Sequence, residues 1–315
     1  MPFGPHFESL CPETCSWKVQ TLMSNQQPRK PDWLKVKLPA GPNFTRIDRY
    51  HREKNLHSVC RSAACPNQGE CWSKGTATFM ILGNACSRNC QFCNVRNDTP
   101  FPVDPQEPAR VAEAIAELKL KHAVITSVTR DDLADGGASH FAALTREIKK
   151  QAPFCRVELL IPDLQGSAEA LRTILESGPE VLGHNIETVP RLYPQIRLGA
   201  DYRRSLQLLA RVKELAPQVV RKSGLMLGMG EERAEIIQTL KDLRQVDCQV
   251  LTLGQYLAPT KVHFPVDRYL PPEEFNELKI QAEALGFDHI EAGPLVRSSY
   301  HAEEQFEAGM SGKES

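Results

Sequence analysis

From Thr76 onward the chain alternates short apolar runs with longer amphipathic stretches, the pattern of repeated βα units. The strand candidates are TATFMIL, HAVITSV, CRVELLI, EVLGHNI, VRKSGLML and CQVLTLG. The helix candidates between them are PQEPARVAEAIAELK, SHFAALTREIKKQA, SAEALRTILESG, DYRRSLQLLARVKEL, ERAEIIQTLKDLRQ and PPEEFNELKIQAEALG. Pro105 or Pro108 in a first turn, Ser167 at an N-cap and Gly286 after a last turn mark boundaries. Six strands alternating with six helices predict an α/β fold, a partial (β/α)6 TIM-type barrel over residues 76–290 with N-terminal and C-terminal extensions. The active face of such a fold is the C-terminal end of its strands. Residues 1–50, rich in Pro, Gln and Lys and without a sustained period, read as an extended arm, and 291–315 as a polar C-terminal segment.

Composition narrows the partners. The 315 residues, 41% of them hydrophobic, suffice for a sizeable core. Thirty-eight basic and 39 acidic side chains leave a formal net charge of -1. No global field therefore recruits nucleic acid or an anionic membrane. No stretch reaches the roughly 20 apolar residues of a membrane span, and MPFGPHFESLCPETC lacks the pattern of a secretory signal. A reducing cytoplasm is the expected location.

Chemistry enters with cysteine. Six of ten fall into two triads, Cys60, Cys65, Cys71 (C-x4-C-x5-C) and Cys86, Cys90, Cys93 (C-x3-C-x2-C), within residues 60–93. Structural zinc draws on paired C-x2-C or Cys/His ligands, which the first triad lacks. Disulfide frameworks belong to small secreted chains. Two iron-sulfur clusters fit better, and three thiolates on a short loop leave the fourth iron of a cubane open to chemistry. The second triad follows TATFMIL directly, which puts it at a strand's C-terminal end. Cys11 and Cys15 read as free thiols in the arm, and Cys155 and Cys248, at strand starts, as buried packing.

NACSRNCQFCNV resembles the signature loop of radical S-adenosylmethionine enzymes, in which S-adenosyl-L-methionine chelates the open iron. Phe92 falls where that superfamily places an aromatic beside the adenine. Other candidates come from the loops. In SVTRDDLADGGASHF, Asp131 and Asp132 are placed to contact the cofactor's amine or ribose, or Asp132 and Asp135 to organise the turn. Alternation puts Asn185 and Glu187 on the pocket side and His184 in the core. Gly228 and Gly230 mark a close backbone approach to a ligand, or an ordinary turn. Arg197, Arg203 and Arg204 read as a solvated face, or together with Arg221 and Lys222 as docking contacts for an acidic carrier domain.

WLKVKLP, CRSAACPNQGEC, SVTRDDLADGGA, HNIETVPRLYP, KSGLMLGMGE, LTLGQYLAPT and VRSSYH, in that order, resemble segments of the lipoyl synthases from about Pro31 to Glu304. The C-x4-C-x5-C triad is the most discriminating. The resemblance implies two 4Fe-4S clusters, the auxiliary one on residues 51–75 held by Cys60, Cys65, Cys71 and a serine of RSSY, taken as Ser299 with Ser298 open. It implies insertion of two sulfur atoms at C6 and C8 of an octanoyl chain on a lysine of a lipoyl carrier domain, with sulfur drawn from that cluster. No side chain is then needed as general acid or base. Reduced flavodoxin or ferredoxin would supply electrons, and an iron-sulfur cluster carrier would rebuild the cluster. A biotin-synthase-like enzyme and a two-cluster electron carrier are the alternatives.

Overall fold

A computed structural model describes residues 29–36, 41–54, 56–62, 65–73 and 77–305; Cys11, Cys15 and most of the expected arm lie outside the described residues. One sheet carries the molecule. Its strands are β1 (His57–Ser58), β2 (Thr78–Ile81), β3 (His122–Ser127), β4 (Arg156–Leu160), β5 (Val181–Gly183), β6 (Val220–Leu227), β7 (Val250–Gln255) and β8 (His289–Gly293), paired in sequence order. β1 runs antiparallel to β2 and every later pair is parallel. Strands added in chain order, each returning through a helix, wind the sheet one way into an incomplete barrel.

The six expected strands are β2 to β7, and the six expected helices follow them. Apolar stripes explain the packing. Ile115, Phe141, Ile148, Ile174, Leu209 and Leu240 on the helices meet Ile125, Leu159, Leu182 and Leu251 on the sheet, each large side chain contributing about 1.5–3 kcal/mol on burial. Ser167 caps its helix by accepting from the Ala170 amide at 3.2 Å, and Pro108 sits in the first turn of Glu107–Leu118.

Three features go beyond the sequence reading. β8 adds a seventh parallel strand of which only Ile290 is buried. Part of the span expected to be extended is helical, α1 (Pro42–Glu53), because Ile47 and His51 share one buried face. The His51 ring stacks on Trp72 and Phe79 at 5.0 and 5.5 Å, which seats α1 against the β2 edge. Arg221 and Lys222 are buried and cannot dock a carrier. Lys222 Nζ donates to Glu158 at 2.7 Å and His122 Nε2 meets the other oxygen at 3.0 Å. Alternation along β4 and β6 puts this polar layer inside the barrel, one step below Leu160 and Gly224.

Candidate active site at the barrel mouth

Leu160, Gly224, Thr252 and Gly254, with the loops that follow the strands, line a cavity of about 470 Å³ at the strands' C-terminal ends. Cys60 and Cys65 of the first triad and all three cysteines of the second line it too. Cys71 lines a smaller adjoining cavity with Cys60, Cys65 and Ser299. Among the described residues no three His, Cys, Asp or Glu side chains converge on a single-ion site.

The second triad rides a loop that leaves β2 and is pinned by its neighbours. The Thr129 amide donates to Cys86 Sγ at 3.2 Å, and Ser87 bonds the Thr129 carbonyl through both its amide and its hydroxyl. The Gln91 amide reaches the Ile196 carbonyl at 2.8 Å, the Phe264 amide reaches the Gln91 carbonyl at 2.9 Å, and His263 Nε2 meets the Cys93 carbonyl at 3.1 Å. Burial pushes the Cys90 and Cys93 thiols up to about 12 and about 11. Thiols so placed become thiolates when a metal cation supplies the compensating charge. Phe92 lines the same cavity.

Arg88 of this loop was not foreseen. Its Nε and Nη2 donate to the two Asp131 oxygens at 2.6 and 2.8 Å, and Nη2 also reaches Asp163 at 2.7 Å. Burial alone would raise Asp163, but hydrogen bonds and charge from Arg88 bring it down to about 2. The Asp131 carboxylate thus faces Arg88, and Arg88 lines the cavity. Asp132 pairs with Arg130, while Asp135 accepts from the Gly137 and Ser139 amides at the start of helix Ala138–Gln151, the turn-organising role.

After β5, Asn185 and Glu187 both line the cavity, and Glu187 holds a left-handed φ of 68° while its backbone bridges to β6. Asn185 Nδ2 donates to Glu187 Oε1 at 3.1 Å and to Ser298 Oγ at 2.6 Å. Its Oδ1 is buried without a hydrogen-bond partner. Burial holds the Glu187 carboxyl above its usual range. His184 is a satisfied core residue, its Nδ1 bonding the Ile161 carbonyl at 2.9 Å and its Nε2 meeting Ser205 Oγ at 3.0 Å. Burial, then the nearby Arg197 cation, lowers it to about 3.

Arg197 corrects the solvated-face expectation. It is 9% exposed, bonds Tyr193 and Ser205, and lines the cavity. Arg204 is tied to Asp163 at 2.9 Å, which leaves Arg203 as the exposed member of that group. At Gly228 the ordinary-turn reading is the one that holds. A side chain there would strike Gln255 and the Arg268 carbonyl, so its close approach is to this chain's own atoms. Gly230 takes a φ of 94°, which serves the same turn. The glycines at the cavity are Gly224 and Gly254, and a glycine inside a strand pattern is the signal that marks such close approach.

The first triad follows β1: Cys60 and Cys71 lie on two short helical turns, Val59–Ser62 and Gln68–Ser73, and Cys65 lies between them. The Cys65 amide donates to the Cys60 carbonyl at 2.9 Å and the Cys71 amide to the Asn67 carbonyl at 2.9 Å. A hydrogen bond from the Cys60 thiol, helped by the Arg297 charge, draws Cys65 down to about 6, and Cys60 rises in consequence. Asn67 Nδ2 donates to the Leu295 carbonyl at 2.5 Å and the Tyr300 hydroxyl to Glu70 at 3.3 Å, which lays the C-terminal string over the triad. Ser299 lines both cavities, whereas Ser298 lines the large one.

No helix among the described residues is long and apolar enough to cross a membrane. Residues 80–243 match the radical SAM superfamily and residues 9–65 match the N-terminal domain of lipoyl synthase. The chain is 55% identical to a lipoyl synthase of Methylococcus capsulatus over 278 residues, covering 88% of this chain and 86% of that one. It is 52% identical to one of Roseiflexus sp., covering 90% and 94%. Methylornithine synthase shares the fold with a TM-score of 0.52 at 13% identity, over 68% of this chain and 70% of that one. The sequence relatives, nearly full length and above half identical, carry the conclusion that the chain belongs to the lipoyl synthases, sulfurtransferases of the radical S-adenosylmethionine superfamily.

Proposed function

We propose that Cys86, Cys90 and Cys93 hold a 4Fe-4S cluster at which S-adenosyl-L-methionine binds, and that Cys60, Cys65 and Cys71 with Ser299 hold an auxiliary 4Fe-4S cluster. The observation that carries this reading is that Cys60 and Cys65 of the first triad open on the same cavity as all three cysteines of the second, with Cys71 and Ser299 on the small cavity that adjoins it. The donors suit such groups. Soft thiolates favour iron-sulfur clusters, and the buried Asn185 Oδ1 without a partner offers an acceptor to a ligand's N–H or O–H.

When bound, the clusters and S-adenosyl-L-methionine supply one-electron cleavage of a sulfonium, hydrogen abstraction from unactivated carbon, and the sulfur to be inserted. The protein's share is position and dryness, and no side chain is assigned as general acid or base. Phe92, Asn185 and Glu187 would face S-adenosyl-L-methionine, with Asp131 bracing that wall through Arg88. Met80, Leu160, Leu225 and Val296 line the cavity and offer an octanoyl chain hydrocarbon contact.

The substrate in this reading is an octanoyl-lysine of a lipoyl carrier domain, thiolated at C6 and C8. The electron donor is reduced flavodoxin or ferredoxin, an iron-sulfur carrier restores the spent cluster, and a reducing cytoplasm suits all of them. Residues 51–75, 76–290 and 291–315 then serve as auxiliary-cluster segment, barrel and closing segment. Anaerobically reconstituted protein with dithionite, S-adenosyl-L-methionine and an octanoyl-lysine peptide should give mass gains of one and then two sulfur atoms. Deoxyadenosine with an unaltered peptide would point to another substrate, and neither product would favour an electron carrier.

A further inference from the structure

We propose that the Asn185–Ser298 hydrogen bond is a positioning contact that holds the sulfur-donating side of the cavity in register with the cofactor side. The proposal rests on the assignment of the two triads given above. The bond joins residues 113 apart in sequence at 2.6 Å. One partner stands in the loop after β5 and the other in the C-terminal string after β8, strands that are not neighbours in the sheet.

Each partner is held so that movement of one is felt by the other. Asn185 is 9% exposed, and its second donor bond goes to Glu187 Oε1 at 3.1 Å. A Cβ on Gly224 would come within 3.2 Å of Asn185 Oδ1, so that glycine leaves the amide its place. Ser298 lies in a tight turn. The Tyr300 amide donates to the Arg297 carbonyl at 2.9 Å, and Arg297 Nη1 turns back to the Val296 carbonyl at 2.6 Å. The Val296 carbonyl in turn abuts Gly254 of β7 so closely that a side chain there would overlap it. A shift of Ser298 is therefore a shift of Ser299, which lines the first triad's small cavity. The two serines divide the work, Ser299 toward the first triad and Ser298 toward Asn185.

Register between a reactive centre and its acceptor matters steeply, since a displacement of about 1 Å can cost on the order of a hundredfold in rate. Ser298→Ala should accordingly raise deoxyadenosine formed per sulfur inserted by at least about fivefold. It should weaken binding of the unreactive S-adenosylhomocysteine, read by equilibrium dialysis on the reconstituted protein, by about threefold or more, the loss of one hydrogen bond. Iron and sulfide per chain should stay at the wild-type value, and Ser298→Thr, which keeps the hydroxyl, should restore both readouts. An unchanged ratio with unchanged binding would overturn the proposal, as would loss of the first triad's iron, which would make Ser298 a ligand. Should S298A not fold, Asn185→Leu, similar in shape and without a donor, must raise the same ratio or the proposal fails. A wild-type protein that inserts no sulfur would instead sink the triad assignment, and that is seen before any variant is compared.

Discussion

The two triads are held by different parts of the chain. The second sits on a strand-end loop whose contacts, to Thr129, Ile196, His263 and Phe264, come from loops of the barrel itself. The first sits outside the parallel strands on helical turns of four and six residues, lengths that have little stability of their own. It is held by the far end of the chain, through Asn67 to Leu295 and Tyr300 to Glu70, and by Asn94, whose side chain reaches the Ser62 carbonyl at 2.9 Å. One site is part of the frame, and the other is a clasp closed over it. That difference suits the two roles proposed above, a radical source that stays in place for the second triad and a sulfur donor that is drawn on for the first.

The largest effects should come from breaking each triad in turn. Cys90→Ala should abolish both deoxyadenosine and thiolated peptide. Cys65→Ala should leave deoxyadenosine formation in place while thiolated peptide disappears. Anaerobic assays of both products by chromatography and mass spectrometry check this, and loss of both products in C65A would mean that the first triad mainly supports folding.

The clasp can be loosened without touching a cysteine. A methyl group at Gly254 overlaps the Val296 carbonyl, so Gly254→Ala must push the C-terminal string outward. Overpacking of this kind costs about 1–3 kcal/mol. Iron bound per chain should drop toward the share of the second triad, and sulfur insertion should fall with it. Gly286→Ala is the control. It lies at a φ of 86° with no atom within 4 Å of the added carbon, and should cost stability alone.

The same difference governs what was legible in the sequence. Six strands could be read because they are apolar runs buried on both faces, such as Ala123, Val124 and Ile125. β8 could not, because His289, Glu291 and Gly293 are only partly covered and its alternation is weak. The helix Pro42–Glu53 was hidden by the Pro- and Lys-rich stretch before it, although Ile47 and His51 carry the spacing of a buried face. At the site, cysteine spacing and strand alternation placed the triads, Asn185 and Glu187 at one mouth. Arg88 was missed and Arg197 misjudged because arginine is usually exposed, and only partners such as Asp131 and Asp163 for Arg88, and Tyr193 and Ser205 for Arg197, make their burial tolerable.

A smaller effect separates the wall of the second triad from the rest of the fold. His184 has a folded value of about 3, well below the ordinary 6.5 or so. As pH falls below about 6.5 the unfolded chain takes up this proton and the folded chain does not. Stability is therefore fully present above that pH and declines through the window down to about 3, at no more than about 1.4 kcal/mol per pH unit. His184→Gln should flatten the decline. The comparison is between urea midpoints of the two reconstituted proteins at pH 7.5 and 5.5, so that acid effects common to both cancel. Asp163, held near 2 by Arg88, contributes no slope there, since its stabilisation is lost only as pH falls below the usual carboxylate range.

The smallest expected effect asks which triad the carrier domain approaches. Arg203 is exposed at the start of the helix Tyr202–Leu215, just after the Arg197–Ala200 segment that packs on the second triad's loop through Gly199 and Arg88. Reversing its charge disturbs no buried bond, so stability should stay within about 0.5 kcal/mol. An acidic carrier steered across this side would show a KM raised by about two- to fivefold in Arg203→Glu, with the effect fading as salt rises, because rim charges act on encounter. A short octanoyl-lysine peptide should show no change. Equal effects on carrier and peptide would mean that Arg203 acts on the cavity rather than on docking. No effect on either would place the carrier's approach on the clasp side, where the first triad and the C-terminal string meet.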